Sequence, residues 1–141
     1  MAITFHPNVG QLLMCDFIGF KAPEMVKKRP VLVITPPHKG GSKLVTVVPL
    51  STSKPSTIME YHYQIPNQCL PKTSFFMNSE TWIKGDMIYT VGFDRLDLIK
   101  IGKDSQGKRT YYRNKLGRDR MSDIYKCVLH GINLGDLSKH L

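Results

Sequence analysis

The chain is poor in the residues that define several protein classes. It has three cysteines in 141 residues, Cys15, Cys69 and Cys127, an odd number with no CxxC pair. That suits free thiols in a reducing, cytoplasmic compartment and not a disulfide framework. No apolar run approaches the ~20 residues of a membrane span. The first ten residues hold no basic region followed by an apolar stretch, so no secretory signal is expected. The histidines are His6, His38, His62, His130 and His140, and no HExxH motif or Cys–His cluster contains them. P-loop and GxGxxG motifs are missing too, so neither a metal nor another cofactor is expected. Acidic residues are scarce, with 11 Asp and Glu against 20 Lys and Arg, a net charge of +9.

The basic excess is uneven. Lys100, Lys103, Lys108, Arg109, Arg113, Lys115, Arg118 and Arg120 are opposed within their stretch by Asp104 and Asp119 alone, leaving +6 there and +3 on the other 120 residues. Such a surface suits a polyanionic partner. The hydrophobic fraction of 41% and charged fraction of 22% are those of a globular chain. The length fits one domain, residues 1–141, which buries about two-thirds of its surface.

The apolar pattern predicts several short strands and then one helix. Gly10 to Phe17 reads as a first strand. After a polar loop, Arg29-Pro30 opens Val31-Leu32-Val33-Ile34, a continuous run of a strand buried on both faces, with Pro30 expected at its first residue. Leu44 to Val48 is a third strand, stopped by Pro49, and Met59 to Ile65 alternates as a half-buried one. Short strands are expected at Thr81–Ile83 and Met87–Val91, around Gly85-Asp86. Arg95 to Ile101 should pair with Lys108 to Tyr112 across the turn Asp104-Ser105-Gln106-Gly107. Met121, Ile124, Tyr125, Val128, Leu129 and Ile132 form one helical stripe, with Gly131 as its C-terminal cap. Leu134 to Leu141 reads as a further helical turn. The sum is mainly β with α (α+β), a small barrel with a helix against it.

The chemistry on offer lies at strand ends. Arg29 starts one strand, Ser51 and Thr52 follow another, and Asp86 sits between two more with Lys84 two positions before it. An arginine, a hydroxyl pair, a carboxylate and a lysine suit phosphate chemistry without a metal, since arginine grips phosphate oxygens bidentately and keeps its charge. Each also has a plain structural reading, as a surface arginine, a serine capping its own loop or a turn aspartate. Cys15 and Cys127, in an apolar strand and in the helix, read as structural thiols. Phe20, Tyr111 and Tyr112 could stack on bases, but packing is the plainer account of each.

Three segments together carry a family resemblance: Gly10 to Phe17, Lys28-Arg29-Pro30-Val31-Leu32-Val33-Ile34, and Val47-Val48-Pro49-Leu50-Ser51-Thr52. Trp82 to Val91 and Arg95-Leu96 extend it over about the first hundred residues. The sequence resembles the MazF/PemK (Kid) toxins of type II toxin–antitoxin systems. The resemblance implies an SH3-like barrel of the MazF–CcdB type with a C-terminal helix, usually a homodimer. It implies a metal-independent endoribonuclease, an mRNA interferase that cuts single-stranded RNA by 2′-OH attack. The ends would be 2′,3′-cyclic phosphate and 5′-OH, and the consequence arrest of translation and growth.

By the same resemblance Arg29 stabilises the pentacovalent phosphate. Ser51, where threonine is usual, holds a phosphate oxygen, with Thr52 and Lys28 beside the RNA. Glu24, five residues before Arg29, or Asp86 acts as the base. Lys84 stands where PemK-like members carry arginine, and it lacks the bidentate fork. The loop Ile18 to Lys28 has no histidine, unlike PemK-like members, which leans toward the MazF arrangement. Lys108, Arg109 and Arg113 would hold RNA or receive a cognate acidic antitoxin. Two alternatives are a CcdB-like gyrase poison and a nucleic-acid-binding module without catalysis.

Overall fold

The computed structural model describes residues 2–141. Strands β1 (Leu12–Asp16), β2 (Lys28–Val33) and β3 (Leu44–Ser51) form the centre of the sheet, followed in the chain by β4 (His62–Ile65). A one-turn helix α1 (Ser74–Met77) leads to β5 (Thr81–Lys84), β6 (Tyr89–Gly92) and β7 (Leu96–Leu98). The hairpin β8 (Lys100–Lys103) and β9 (Arg109–Tyr111) comes next, then helix α2 (Arg118–Gly131). Every pairing is antiparallel. The strand path runs β4-β5-β3-β2-β1-β7, with β6 also on β3, and β8-β9 stands apart as its own ribbon. The architecture is thus mostly antiparallel sheet with a C-terminal helix, and the path is open rather than a closed barrel.

Two cores lie on the two faces of the sheet. Leu12, Leu32, Val48, Leu50 and Ile83 meet Met121, Ile124 and Val128 of α2. Leu13, Cys15, Val31, Val33, Val45, Val47, Val91 and Leu96 belong to the other. Neighbouring residues of β1 and β2 therefore point into different cores, which is why β2 reads as an unbroken apolar run.

Both strand prolines sit inside strands rather than at their ends. Pro49 belongs to β3, and Pro30 is the third residue of β2, opposite Met14. Ile34 N–H donates to Thr46 O, so even-numbered residues of β3 turn their backbone groups to β2 and Pro49 turns its own to the other edge. There β3 pairs with β6 over Leu44–Val47 and with β5 over Leu50–Ser51, so the missing N–H falls in the gap between two partners. Pro30 faces β3 one residue before the β2–β3 ladder begins at Val31. Neither proline removes a ladder hydrogen bond.

Four other elements differ from the sequence pattern. The segment 95–101 divides, with Leu96–Leu98 pairing with β1 and Lys100–Lys103 with β9. The alternating stretch from Met59 becomes a strand at His62, and Met59 itself is exposed. Helix α1 carries buried Phe76 but is one turn long, too short for a period to show. The helical stripe is buried at Met121, Ile124 and Val128 and half-buried at Tyr125 and Leu129, while Ile132 lies beyond the helix and is 46% exposed.

Gly131 is not the cap. Asn133, at φ 62°, takes the left-handed position, with its N–H on His130 O and the Leu134 N–H on Leu129 O. This is a Schellman ending. Gly131 serves a close approach instead. A Cβ there would lie 2.3 Å from Gly85 O and 2.7 Å from Asp86 Cα, and one on Gly85 would lie 2.7 Å from Tyr61 O. Two glycines thus let the end of α2 press on the β5–β6 turn.

Candidate nucleic-acid cleavage site

The sheet register assembles the candidate residues. Val31 pairs with Pro49, so Arg29 and Ser51, two residues further along each strand, share a face at one end of the sheet. Across β3, Ser51 pairs with Trp82, and Lys84 lies two residues further on the same face of β5. His62 of β4 is opposite Lys84. Arg29, Ser51, Lys84 and His62 therefore occupy one face across four consecutive strands. His62 was not singled out from the sequence, because only the β4–β5 register shows what it faces.

Arg29 is half-buried, and its Nε donates to Val26 O at 3.4 Å. The loop before it is held from outside. Tyr89 Oη accepts the Met25 N–H at 2.9 Å, and Arg95 Nη1 donates to Asp16 O at 3.0 Å and Ile18 O at 2.8 Å. The Arg95 guanidinium also lies over the Phe20 ring, which gives Phe20 a packing role with Phe17 and Tyr89. Arg95 thus ties β7 to the loop that delivers Arg29.

Ser51 Oγ accepts the Ser53 N–H at 3.1 Å, the local cap that serines favour in turns. Its own O–H faces Ser53 O at 3.5 Å, too long for a strong bond, so that proton is available to another acceptor. Thr52 is half-buried beside it, and Lys28 is exposed opposite Asp16. Glu24 is exposed, its Oε1 accepting the Lys21 N–H at 3.2 Å, and no ion pair joins it to Arg29.

Asp86 is exposed on the β5–β6 turn, closed by Met87 N–H on Lys84 O. Burial lowers the His62 pKa below its ordinary value; Asp86 opposes that shift and Lys84 adds to it. The three side chains therefore sense one another electrostatically.

Lys108, Arg109 and Arg113 are exposed on or just after the β8–β9 ribbon. Asp104 Oδ1 accepts the Gln106 and Lys108 N–H groups and closes the ribbon's turn. The chain then rejoins the sheet at Gly10 and Gln11, through Leu116 N–H on Gly10 O and the Gln11–Lys115 bridge. That is the start of β1, while Arg29 and Lys28 face its end at Cys15 and Asp16. The ribbon's attachment and the Arg29–Ser51 end of the sheet are therefore at opposite ends of the central strands.

Burial pushes the Cys15 thiol up to about 12 and the Cys127 thiol up to about 11. Neither is a nucleophile near neutrality.

The fold is thus an antiparallel sheet packed on one C-terminal helix, with Arg29 and Ser51 at one end of its central strands. The chain belongs to the PemK-like, MazF-like toxins of type II toxin–antitoxin systems, whose family model matches residues 8–130. It is similar to an uncharacterised protein of Haemophilus influenzae, 32% identical over 97% of this chain and 98% of that one. It is also similar to the putative uncharacterised protein YifN of Escherichia coli K12, 28% identical over 94% and 96%. Among solved structures, MazF from Deinococcus radiodurans superposes with a TM-score of 0.59 at 14% identity, covering 92% of this chain and 99% of that one. An endoribonuclease in complex with its cognate antitoxin from a mycobacterial species gives 0.58 at 18%, covering 92% and 97%. At these identities the likeness to solved structures is one of fold. Among the described residues no helix is long and apolar enough to cross a membrane.

Proposed function

We propose that this toxin is an endoribonuclease that cuts single-stranded RNA without a metal ion. The observation that carries the reading is the placing of Arg29 and Ser51 on one face at one end of adjacent strands, within a chain of this family. The 2′-OH attacks the neighbouring phosphorus, the P–O2′ bond forms and the P–O5′ bond breaks. Negative charge grows on the non-bridging oxygens in the transition state. Arg29 meets it with a planar fork that cannot lose its proton. The Ser51 hydroxyl turns its proton to one of the same oxygens.

Asp86 is the base in this reading, because it stands two residues beyond Lys84 and acts electrostatically on His62 of the same face, whereas Glu24 is exposed with no ion pair to Arg29. Asp86 takes the 2′-OH proton, and the departing 5′ oxygen takes one from water. Lys84 neutralises phosphate as a point charge. The products are a 2′,3′-cyclic phosphate and a 5′-OH. Lys28 and Thr52 line the strand near the cut, and Lys108, Arg109 and Arg113 hold RNA further off. The same basic surface fits an acidic antitoxin. A cytoplasmic homodimer acting on mRNA completes the reading.

The test is incubation of the purified protein with single-stranded RNA in excess EDTA, followed by end-group analysis. Cyclic phosphate and 5′-OH ends are expected. Intact RNA, or cutting that needs added metal, overturns the mechanism.

A further inference from the structure

His62 is a titratable residue on the site face to which the chemistry above gives no task. Its surroundings hold it in place. The Met59 N–H donates to Nδ1 at 2.9 Å, the Tyr61 ring lies 4.5 Å away edge to face, and the His62 carbonyl accepts from the Cys127 thiol at 3.6 Å. A nitrogen that accepts a backbone N–H presents a lone pair, so the neutral ring carries its proton on Nε2. Nε2 has no hydrogen bond or ion pair among the described residues.

Burial favours the neutral ring over the charged one, and the charged groups around it pull in both directions. Asp86 on the following turn favours the charged ring, and Lys84 of β5 disfavours it by a smaller amount. Cys127 of α2 is held protonated by burial. Glu60, on His62's own segment, turns its carboxylate to His130 Nε2 at 3.4 Å. Protonation of Nδ1 would set two N–H donors face to face with Met59.

We propose that His62 is a phosphate-binding residue of the RNA site, a neutral Nε2–H donor paired with Lys84 for a phosphate next to the one being cut. β4 lies two strands from β3, about 10 Å away at roughly 4.8 Å per strand, which suits a neighbouring phosphate rather than the scissile one. With Nδ1 occupied, the ring cannot serve as the proton relay that a histidine would otherwise suggest. This inference rests on the endoribonuclease reading.

The experiment compares wild type, His62→Ala and His62→Gln on a single-stranded RNA oligomer that the wild type cuts. Glutamine keeps an N–H donor at similar reach. The alanine variant should raise KM about tenfold with kcat within about twofold, and the glutamine variant should recover most of that loss. A neutral donor releases no counterion, so the slope of log affinity against log salt should be the same for wild type and His62→Ala. An unchanged KM in His62→Ala, no recovery in His62→Gln, or a slope smaller by about 0.7, the mark of a lost cation on a single strand, overturns the proposal. A wild type that cuts no RNA overturns the endoribonuclease reading instead.

Discussion

Gly131→Ala separates helix propensity from tertiary packing, because the two predict opposite signs. Within a helix alanine is favoured over glycine by about 0.8–1.0 kcal/mol, and less at a last residue such as this one. Against that, the new Cβ would stand 2.3 Å from Gly85 O, 2.6 Å from Gly85 C and 2.7 Å from Asp86 Cα. All three are backbone atoms, so no rotamer change relieves the overlap. Ordinary contact begins at 3.4 Å, so the end of α2 must retreat by about 1 Å from the β5–β6 turn. Overpacking of this kind costs roughly 1–3 kcal/mol, so the net loss is about 1–2 kcal/mol. For a chain of this length that lowers Tm by about 4–8 °C. Calorimetric melts at one pH measure it. Gly92→Ala is the control, since its Cβ would meet nothing nearer than Lys43 O at 3.8 Å, and its Tm should hold. Cutting by Gly131→Ala, measured well below Tm, should also fall because Asp86 is displaced. A Tm equal to or above wild type would show that propensity wins and would refute the close approach.

Arg29→Ala should lower single-turnover cleavage by about 10²–10³-fold, the usual loss for one transition-state donor, and Arg29→Lys should recover part of it; cleavage unchanged in Arg29→Ala removes it from the site. Ser51→Thr should keep near wild-type rates while Ser51→Ala loses at least tenfold, and equal rates in both would reduce Ser51 to a turn cap. Replacing Lys108, Arg109 and Arg113 together by Gln should reduce the salt slope of RNA binding by about 2, at ~0.7 per phosphate contact. Single-turnover cutting at saturating RNA should persist, and its loss would end the division between holding and cutting. A thiol reagent at pH 8 should label Cys69 first, leaving Cys15 and Cys127, pushed up to about 12 and about 11 by burial, until the chain unfolds. Three equal rates would contradict that order.

Much of the fold was legible because it rests on local patterns. The β-branched run Val31–Ile34 and the stripe from Met121 to Val128 are periodic signals that need no partner to be read. The prolines misled for a specific reason. A proline ends a strand only if its missing N–H is wanted, and at Pro49 it faces a gap between β6 and β5 that exists only in the folded sheet. Arg95 to Ile101 shows the same limit, since one uninterrupted strand-like stretch does not say that its first half pairs with β1 and its second with β9.

The sequence by itself determined the basic excess between Lys100 and Arg120, the strand-then-helix order, and the Arg29-Pro30 and Pro49-x-Ser51 pieces on which the family resemblance rests. These are properties of composition and short-range spacing. Tertiary structure alone decided which of the polar residues meet. His62 faces Lys84, 22 residues away, because β4 and β5 pair in that register, and a shift of one residue would turn His62 to the other face. Gly131 lies against Gly85 because α2 folds back over the β5–β6 turn, and neither glycine announces the other in the chain. Register and helix placement are settled by burying both faces of one sheet at once, a condition on the whole chain that no local window contains.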